Sequence, residues 1–385
     1  MKIGVDVRCF AGKRHTGVEE YTRNLLVKLV ESSPEHSFVL FFNAFSRDIP
    51  NFSWITKYPN VIMCRKRIPN KILNVCLWYF RRPYLDALIG GVDVFFAPNL
   101  GFLSVSPKCR FVVTVHDLSY EVYSQTFSLK RRLWHLFISP RKLLSRADAI
   151  VAVSSSTKED IIRFYGINEK KISVIYSGIS ERYGVMSRND VKLLAYKDKW
   201  KLPYRSILSM GTFEPRKNIT ALVRGYSAYR KSQSHTGKNN YAQLILAGSS
   251  GWREEEIQKE IEESPYRKDI RRMGYIPEKD KKKLYNLATV FLYPSLYEGF
   301  GFPVLEAMKC GLPVITSFSS SLGEIAKQGA LYIDPLRPEE IALALEQLLE
   351  DRVLYEEMVL KSGKVCSKYS WKQCAREVKS LLTEK

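Results

Sequence analysis

The sequence predicts an α/β protein made of two parallel-sheet domains in tandem, on three observations. Short, β-prone apolar runs alternate with amphipathic helical stretches along nearly the whole chain, as in parallel strands covered by helices. The alternation breaks once, in a polar stretch from Ile179 to Lys201 with interspersed Arg, Asp and Lys, which places a domain boundary there. The chain's 385 residues also exceed one typical core and suit two. The expected domains are residues 1–185 and 186–365, with 366–385 as a C-terminal helix packing back on the first.

In the first domain, Ile3, Val5 and Val7 alternate as a strand. The loop Phe10-Ala-Gly-Lys-Arg-His-Thr-Gly17 leads to a helix from Val18 to Leu29, with Val18, Tyr21, Leu25 and Leu29 on one face. Glu19 and Glu20 sit in its first turn, where the helix dipole favours them. Strand, glycine loop and helix open a Rossmann-like unit, although the single Gly17 is a weak phosphate-loop signal. Phe38–Phe42, Val92–Phe96 and Phe111–Val115 read as further strands. His116-Asp117 falls just past the last of these, at a strand's carboxyl end, where such sheets bind ligands. His116 either contacts a ligand's sugar or phosphate, or is bonded within a loop with Asp117 as turn former.

The segment Ile68–Phe80 mixes Lys71, Trp78 and Tyr79 with aliphatics, and Arg81-Arg82 follow it. Leu129–Ile138 is a basic, aromatic helix ended by Pro140, with Leu129, Leu133, Leu136 and Phe137 on one face beside three consecutive cations. That stripe reads as the core face of a soluble helix, in preference to a membrane-surface face. Ala149–Val153 is a strand, Ser156-Thr-Lys-Glu159 is a capping box opening a helix, and Lys171–Tyr176 is another strand.

The second domain repeats the pattern. Its strands are Ile207–Met210, Leu244–Ala247, a run near Arg271–Met273, Thr289–Tyr293, Val314–Thr316 and Leu331–Ile333. Its helices are Ile219–Arg230, Arg253–Glu263, Pro277–Leu287 and Pro338–Glu350. Val353–Leu382 is amphipathic and helical, anchored by Trp371.

Two stretches carry the chemistry. Pro294-Ser-Leu-Tyr-Glu-Gly-Phe-Gly-Phe-Pro-Val-Leu-Glu-Ala-Met308 runs from a strand end through a glycine turn into a helix. Pro303 suits the helix start, Gly311 its C-terminal cap, and Pro313 blocks continuation. Glu298 then lies at the strand's carboxyl end and Glu306 in the helix's first turn, beside backbone N–H donors. The second stretch, Gly211-Thr-Phe-Glu-Pro-Arg-Lys-Asn218, presents Arg216 and Lys217 before a helix capped by Asn218. Cations there oppose the helix dipole. An anion between them, such as a diphosphate, would explain them.

Composition limits the alternatives. Seven scattered Cys, with no Cys-x-x-Cys pair, argue for reduced thiols in a cytoplasmic compartment and against a zinc site. No signal peptide or membrane-spanning apolar run is present, so the protein is expected to be cytoplasmic and soluble or peripheral. Half of the net charge of +20 comes from residues 51–150, which suits phosphorylated substrates or an anionic membrane face. No zinc-finger spacing or aromatic-basic RNA motif supports a nucleic-acid reader.

The two stretches, about eighty residues apart, together resemble the retaining glycosyltransferases of family 4. Thr16-Gly-Val-Glu-Glu-Tyr21 resembles that family's N-terminal glycine turn, Val115-His-Asp-Leu118 its His motif, and Val151-Ala-Val-Ser-x-x-Thr-Lys158 its domain-closing strand. The nearest subgroup is the mannosyltransferases of cell-surface polysaccharide assembly. The resemblance implies the GT-B fold: two Rossmann-like parallel-sheet domains facing across a cleft. It implies a nucleotide-diphosphate sugar donor, GDP-mannose above others, a glycan or lipid-linked glycan acceptor, and neither cofactor nor metal.

It also implies roles. Lys217 with Arg216 would hold the diphosphate, Glu298 would face the donor sugar, and Glu306 would bind the ribose hydroxyls. Gly211 would lie beside the clamp. Backbone N–H groups of Phe300, Gly301 and Phe302 would hold sugar hydroxyls or phosphate, and Tyr275-Ile276 would flank the base. His116 would touch the sugar, and Gly17 would let the backbone approach the diphosphate. The two glutamates are not a glycosidase acid/base pair; the leaving phosphate takes the acceptor's proton. This chain has Gly211-Thr212 where many members have Gly-Arg, and one glycine in its first loop where they have two. A nucleotide-sugar epimerase of similar fold, or a non-enzymatic basic phosphate- or nucleic-acid-binding protein, are the alternatives.

Overall fold

The structure is a computed structural model and describes residues 1–12, 16–45, 49–235 and 241–384. The centre of the first loop, Lys13-Arg14-His15, lies outside the described residues. Two compact units emerge: Met1–Gly178 with Ser370–Lys385, and Ile179–Tyr369. The expected boundaries were 185/186 and 365/366. The chain's two crossings lie side by side, since in the second unit the Ile179 amide donates to the Tyr369 carbonyl (3.3 Å).

The first unit holds a seven-stranded parallel sheet: β1 Lys2–Asp6, β2 Ser37–Asn43, β3 Val61–Lys66, β4 Val94–Ala97, β5 Arg110–Val115, β6 Ala149–Ala152 and β7 Ile172–Val174. Their order is β3-β2-β1-β4-β5-β6-β7. Ile3 and Val5 are buried together with the intervening Gly4, because helices cover both faces of a parallel sheet. The helix Gly17–Glu31 packs against the C-terminal helix Trp371–Thr383, where Trp371 meets Tyr21 edge-on at 5.8 Å.

The second unit holds six parallel strands: β8 Ser206–Met210, β9 Gln243–Ala247, β10 Ile270–Gly274, β11 Val290–Tyr293, β12 Val314–Ser317 and β13 Ala330–Ile333. They are ordered β10-β9-β8-β11-β12-β13. The order reverses between β8 and β11 here, and between β1 and β4 in the first unit. A reversal splays the loops that follow the two strands and opens a crevice at their carboxyl ends.

Several expectations need correction. β3 was not expected; it is an edge strand carrying Arg65 and Lys66, and cations that guard an edge also dilute the apolar signal. The polar stretch before β8 contains a helix, Val191–Trp200, capped by Asp190, whose Oδ1 accepts from the Lys192 and Leu193 amides. The single helical segment Val353–Leu382 is two helices, Arg352–Cys366 and Trp371–Thr383. The cap expected at Ser156 is Ser154, whose hydroxyl accepts from the Thr157 amide at 3.1 Å.

The apolar stripe of Leu129–Ile138 is not a core face. Leu129, Leu133, Leu136 and Phe137 are all exposed. Pro140 ends that helix and starts the next, Pro140–Arg146.

Candidate active site

The loop after β8 and the loop after β11 meet at the second sheet's switch point, so residues 82 positions apart become neighbours. β8 ends at Met210; Gly211 follows, and Pro215–Lys217 forms one 3₁₀ turn. The Leu296 amide donates to the Arg216 carbonyl (2.7 Å), and Arg216 Nη1 donates to the Tyr297 carbonyl (2.9 Å). Asn218, in the left-handed region at φ 57°, donates its side-chain amide to the carbonyls of Pro294 (3.3 Å) and Pro335 (2.6 Å). Asn tolerates this conformation better than most residues.

The anion between Arg216 and Lys217 is Glu298. Its Oε2 accepts from Arg216 Nη1 at 2.8 Å. Its Oε1 accepts from Lys217 Nζ, from the Tyr293 hydroxyl (3.0 Å) and from the Ser295 hydroxyl (2.7 Å). Arg216 Nε also pairs with Glu214 at 2.5 Å. Lys217, Glu214 and Glu298 are all buried. Two cations and two carboxylates thus form a neutral, largely buried cluster.

The electrostatics follow from that packing. Burial alone would raise the Glu298 pKa, but Arg216 and then Lys217 outweigh it and hold it at about 2. Burial, and then Arg216, push the Lys217 ammonium down, against the pull of Glu298 and Glu214. Burial and the neighbouring Glu298 drive the Tyr293 phenol well up. It therefore stays protonated, accepting from Lys217 Nζ at 2.6 Å while donating to Glu298. A carboxylate held this low and saturated with donors is a poor general base and no general acid.

The backbone of Glu298 is clamped as well. Its amide donates to Ser320 Oγ (2.7 Å) and its carbonyl accepts from Ser321 Oγ (2.9 Å). Ser320 sits at φ 49°, ψ −127°, a strained conformation of the kind that clusters at functional sites. Gly301, at φ 96°, turns the chain into the helix Phe302–Lys309, and a Cβ there would lie 2.8 Å from Leu322 Cδ2. That turn starts the helix at Phe302, before Pro303, so Glu306 stands in the second turn and not in the expected first. Glu306 is buried, and its Oε2 accepts from the Tyr285 hydroxyl at 2.9 Å.

Phe300 is buried against Phe302, with ring centroids 5.0 Å apart. β10 ends at Gly274; beyond it Tyr275 is exposed and Ile276 buried. Gly248, after β9 at φ 149°, packs so tightly on Gly211 that a Cβ would lie 1.7 Å from its carbonyl oxygen. Only glycine fits there.

In the first unit, Gly17 begins its helix, and Thr16 Oγ1 accepts from the Glu19 amide (3.3 Å). His116, after β5, reaches the loop after β4, with Nε2 2.8 Å from the Pro98 carbonyl. A carbonyl only accepts, so Nε2 carries the proton and Nδ1 is the acceptor nitrogen. Burial pushes the imidazolium pKa down, and Tyr21 packs edge-on against the ring at 4.7 Å.

Glu214, Tyr285, Tyr293, Ser295, Ser320 and Gly248 were not expected from the sequence. For Tyr293 one signal existed: a phenol ending an apolar strand, next to the Pro294 turn.

Residues 15–182 match the family described as Glycosyltransferase Family 4, and residues 195–365 match Glycosyl transferases group 1. The O-antigen chain mannosyltransferase B of Escherichia coli is 28% identical over 375 residues, covering 94% of each chain. Among solved structures, sucrose-phosphate synthase from Thermosynechococcus elongatus matches 99% of this chain and 98% of its own, at a TM-score of 0.74 and 18% identity. HepE of Anabaena in complex with UDP-glucose matches 99% and 100%, at 0.69 and 17%. With a family match on each half and the fold shared end to end, the chain belongs to the family 4 glycosyltransferases of GT-B fold.

Proposed function

We propose that this glycosyltransferase moves a mannosyl group from GDP-mannose to a glycan or lipid-linked glycan acceptor during cell-surface polysaccharide assembly, with retention at the anomeric carbon. The Arg216–Lys217–Glu298 cluster at the switch point carries the reading. The likeness to an O-antigen mannosyltransferase supports the sugar and the acceptor class, and the likeness to a protein bound to UDP-glucose supports a nucleotide-sugar donor.

In this reading Arg216 and Lys217 exchange part of their contact with Glu298 for the donor's diphosphate. As the bond from the anomeric carbon to phosphate breaks, charge grows on the leaving oxygen, where pre-placed cations lower the barrier most. The acceptor oxygen bonds to the same face of that carbon, and its proton passes to the leaving phosphate. Glu298 orients the sugar and restrains the cations; it transfers no proton. Gly211 lets the backbone approach the phosphates, and N–H groups of Phe300, Gly301 and Phe302 meet sugar hydroxyls or phosphate. Glu306 accepts from the ribose hydroxyls, and Tyr275 with Ile276 flanks the base. Gly17 and neutral His116 belong to the acceptor-side unit, with His116 a hydrogen-bond partner for a sugar hydroxyl.

The test is a thermal-shift panel of nucleotide sugars, followed by mass spectrometry with candidate glycan acceptors. GDP-mannose should stabilise the protein, and the acceptor should gain one hexose. An altered nucleotide sugar formed without acceptor would convert the reading to an epimerase, and no stabilisation by any nucleotide sugar would end it.

A further inference from the structure

Two helical segments of the first unit lie outside the transferase reading, and both turn apolar side chains to solvent. Asn70–Val75 continues as a wider π-helical turn over Cys76–Phe80. Leu73 and Leu77 bury its inner face, while Ile72, Val75, Trp78, Tyr79 and Phe80 face outward, Tyr79 70% and Phe80 64% exposed. Leu129–Ile138 lies beside it. Its stripe Leu129, Leu133, Leu136 and Phe137 follows the spacing of one helix face, with Leu129 71% and Leu136 67% exposed. The Trp78 and Phe137 rings meet at 4.7 Å, which makes the two exposed faces one patch.

The charge around that patch is of one sign. Residues 65–82 and 129–146 contain six Lys/Arg each and no Asp or Glu, together +12 of the chain's +20. Lys71, Arg81, Arg82, Arg132, Arg141 and Lys142 are exposed. Soluble helices turn their apolar stripe inward, and large exposed apolar patches mark interaction surfaces. Aromatic rings beside aliphatic side chains, in segments that carry cations and no carboxylate, match the boundary between anionic headgroups and acyl chains.

We propose that segments Asn70–Phe80 and Leu129–Ile138 form a docking surface for an anionic bilayer. The exposed rings and aliphatics enter the headgroup–acyl boundary and the flanking cations hold lipid phosphates. This goes beyond the transferase reading and does not rest on it, because docking requires no donor.

The experiment is flotation of the full chain with two sets of vesicles, pure phosphatidylcholine and phosphatidylcholine containing about a third phosphatidylglycerol. The protein should float with the anionic vesicles alone and be released as salt rises. The double variant Tyr79→Ser, Leu136→Ser should lower the partition coefficient by about tenfold or more, with an unchanged melting temperature. Absence of flotation on anionic vesicles, or equal flotation of the variant, would overturn the proposal. So would a concentration-dependent dimer that the same variant abolishes, since a second copy would then be the occupant.

Discussion

The mouth of the second sheet and the paired surface helices of the first unit both gather cations, and they treat them in opposite ways. At the sheet mouth, half-buried Arg216 and buried Lys217 pair with buried Glu214 and Glu298, so the cluster is neutral. In residues 65–82 and 129–146, which hold the surface helices, twelve cations have no carboxylate within the same segments. A buried charge without a partner costs several kcal/mol, whereas an exposed one remains hydrated at little cost. Under the transferase proposal, the balanced cluster keeps cations inside the protein for the donor's diphosphate. Under the docking proposal, the one-signed surface takes its counter-charge from the bilayer.

The largest expected effect breaks the balanced cluster. Lys217→Ala should lower turnover about 10²–10³-fold, the usual loss when one pre-placed electrostatic group is removed. It should also destabilise the fold by roughly 3–5 kcal/mol, because Glu298 loses a partner in a buried site. Lys217→Met combined with Glu298→Gln separates the two effects: stability, measured by urea unfolding, should largely return while turnover stays low. Recovery of turnover along with stability would make the cluster purely structural.

The next effect is on pH. The folded-state pKa of Glu298, about 2, lies below its ordinary 4.5. Its ionised form therefore stabilises the fold fully above pH 4.5, and that contribution fades as pH falls toward 2. By linkage it amounts to about 3 kcal/mol. Glu298→Gln removes the titration, so the stability difference between wild type and variant should shrink steadily as pH falls through that window. A difference that stays constant from pH 5 to about 2.5 would contradict the ion-pair account.

How much of this was legible in the sequence follows the range of the forces involved. Most strands announce themselves locally, because a strand buried on both faces is an apolar run, as in Val290–Tyr293. β3 does not, because an edge strand ending in Arg65 and Lys66 is patterned for solvent. Arg216, Lys217, Glu298 and Glu306 stand out as motif residues. Their partners do not: Tyr293, Ser295 and Ser320 acquire meaning only when loops 22 to 82 positions apart are laid against one another. The stripe Leu129–Phe137 shows a third limit. Helical periodicity reveals that an apolar face exists and is silent about what covers it.

Smaller effects sharpen the contrast. Glu306→Ala should weaken GDP binding tenfold or more, about 1.4 kcal/mol or above, if its carboxylate takes charge-assisted hydrogen bonds from ribose. Tyr285→Phe removes only the hydroxyl that donates to Glu306 Oε2. It should cost about fivefold, near 1 kcal/mol, by loosening that carboxylate. Calorimetry reads both, and unchanged affinity in both variants would remove Glu306 from nucleotide recognition.

The smallest effect is expected on the first unit. Leu136 is two-thirds exposed, so Leu136→Ser gives up little packing and a few tenths of a kcal/mol of helix propensity. Unfolding free energy should change by no more than about 0.5 kcal/mol. A loss of 2 kcal/mol or so, the scale of a core truncation, would mean that Leu136 is covered in solution. The patch would then be an intramolecular contact, and the contrast between a balanced interior and an outward-facing, one-signed surface would fail at the surface.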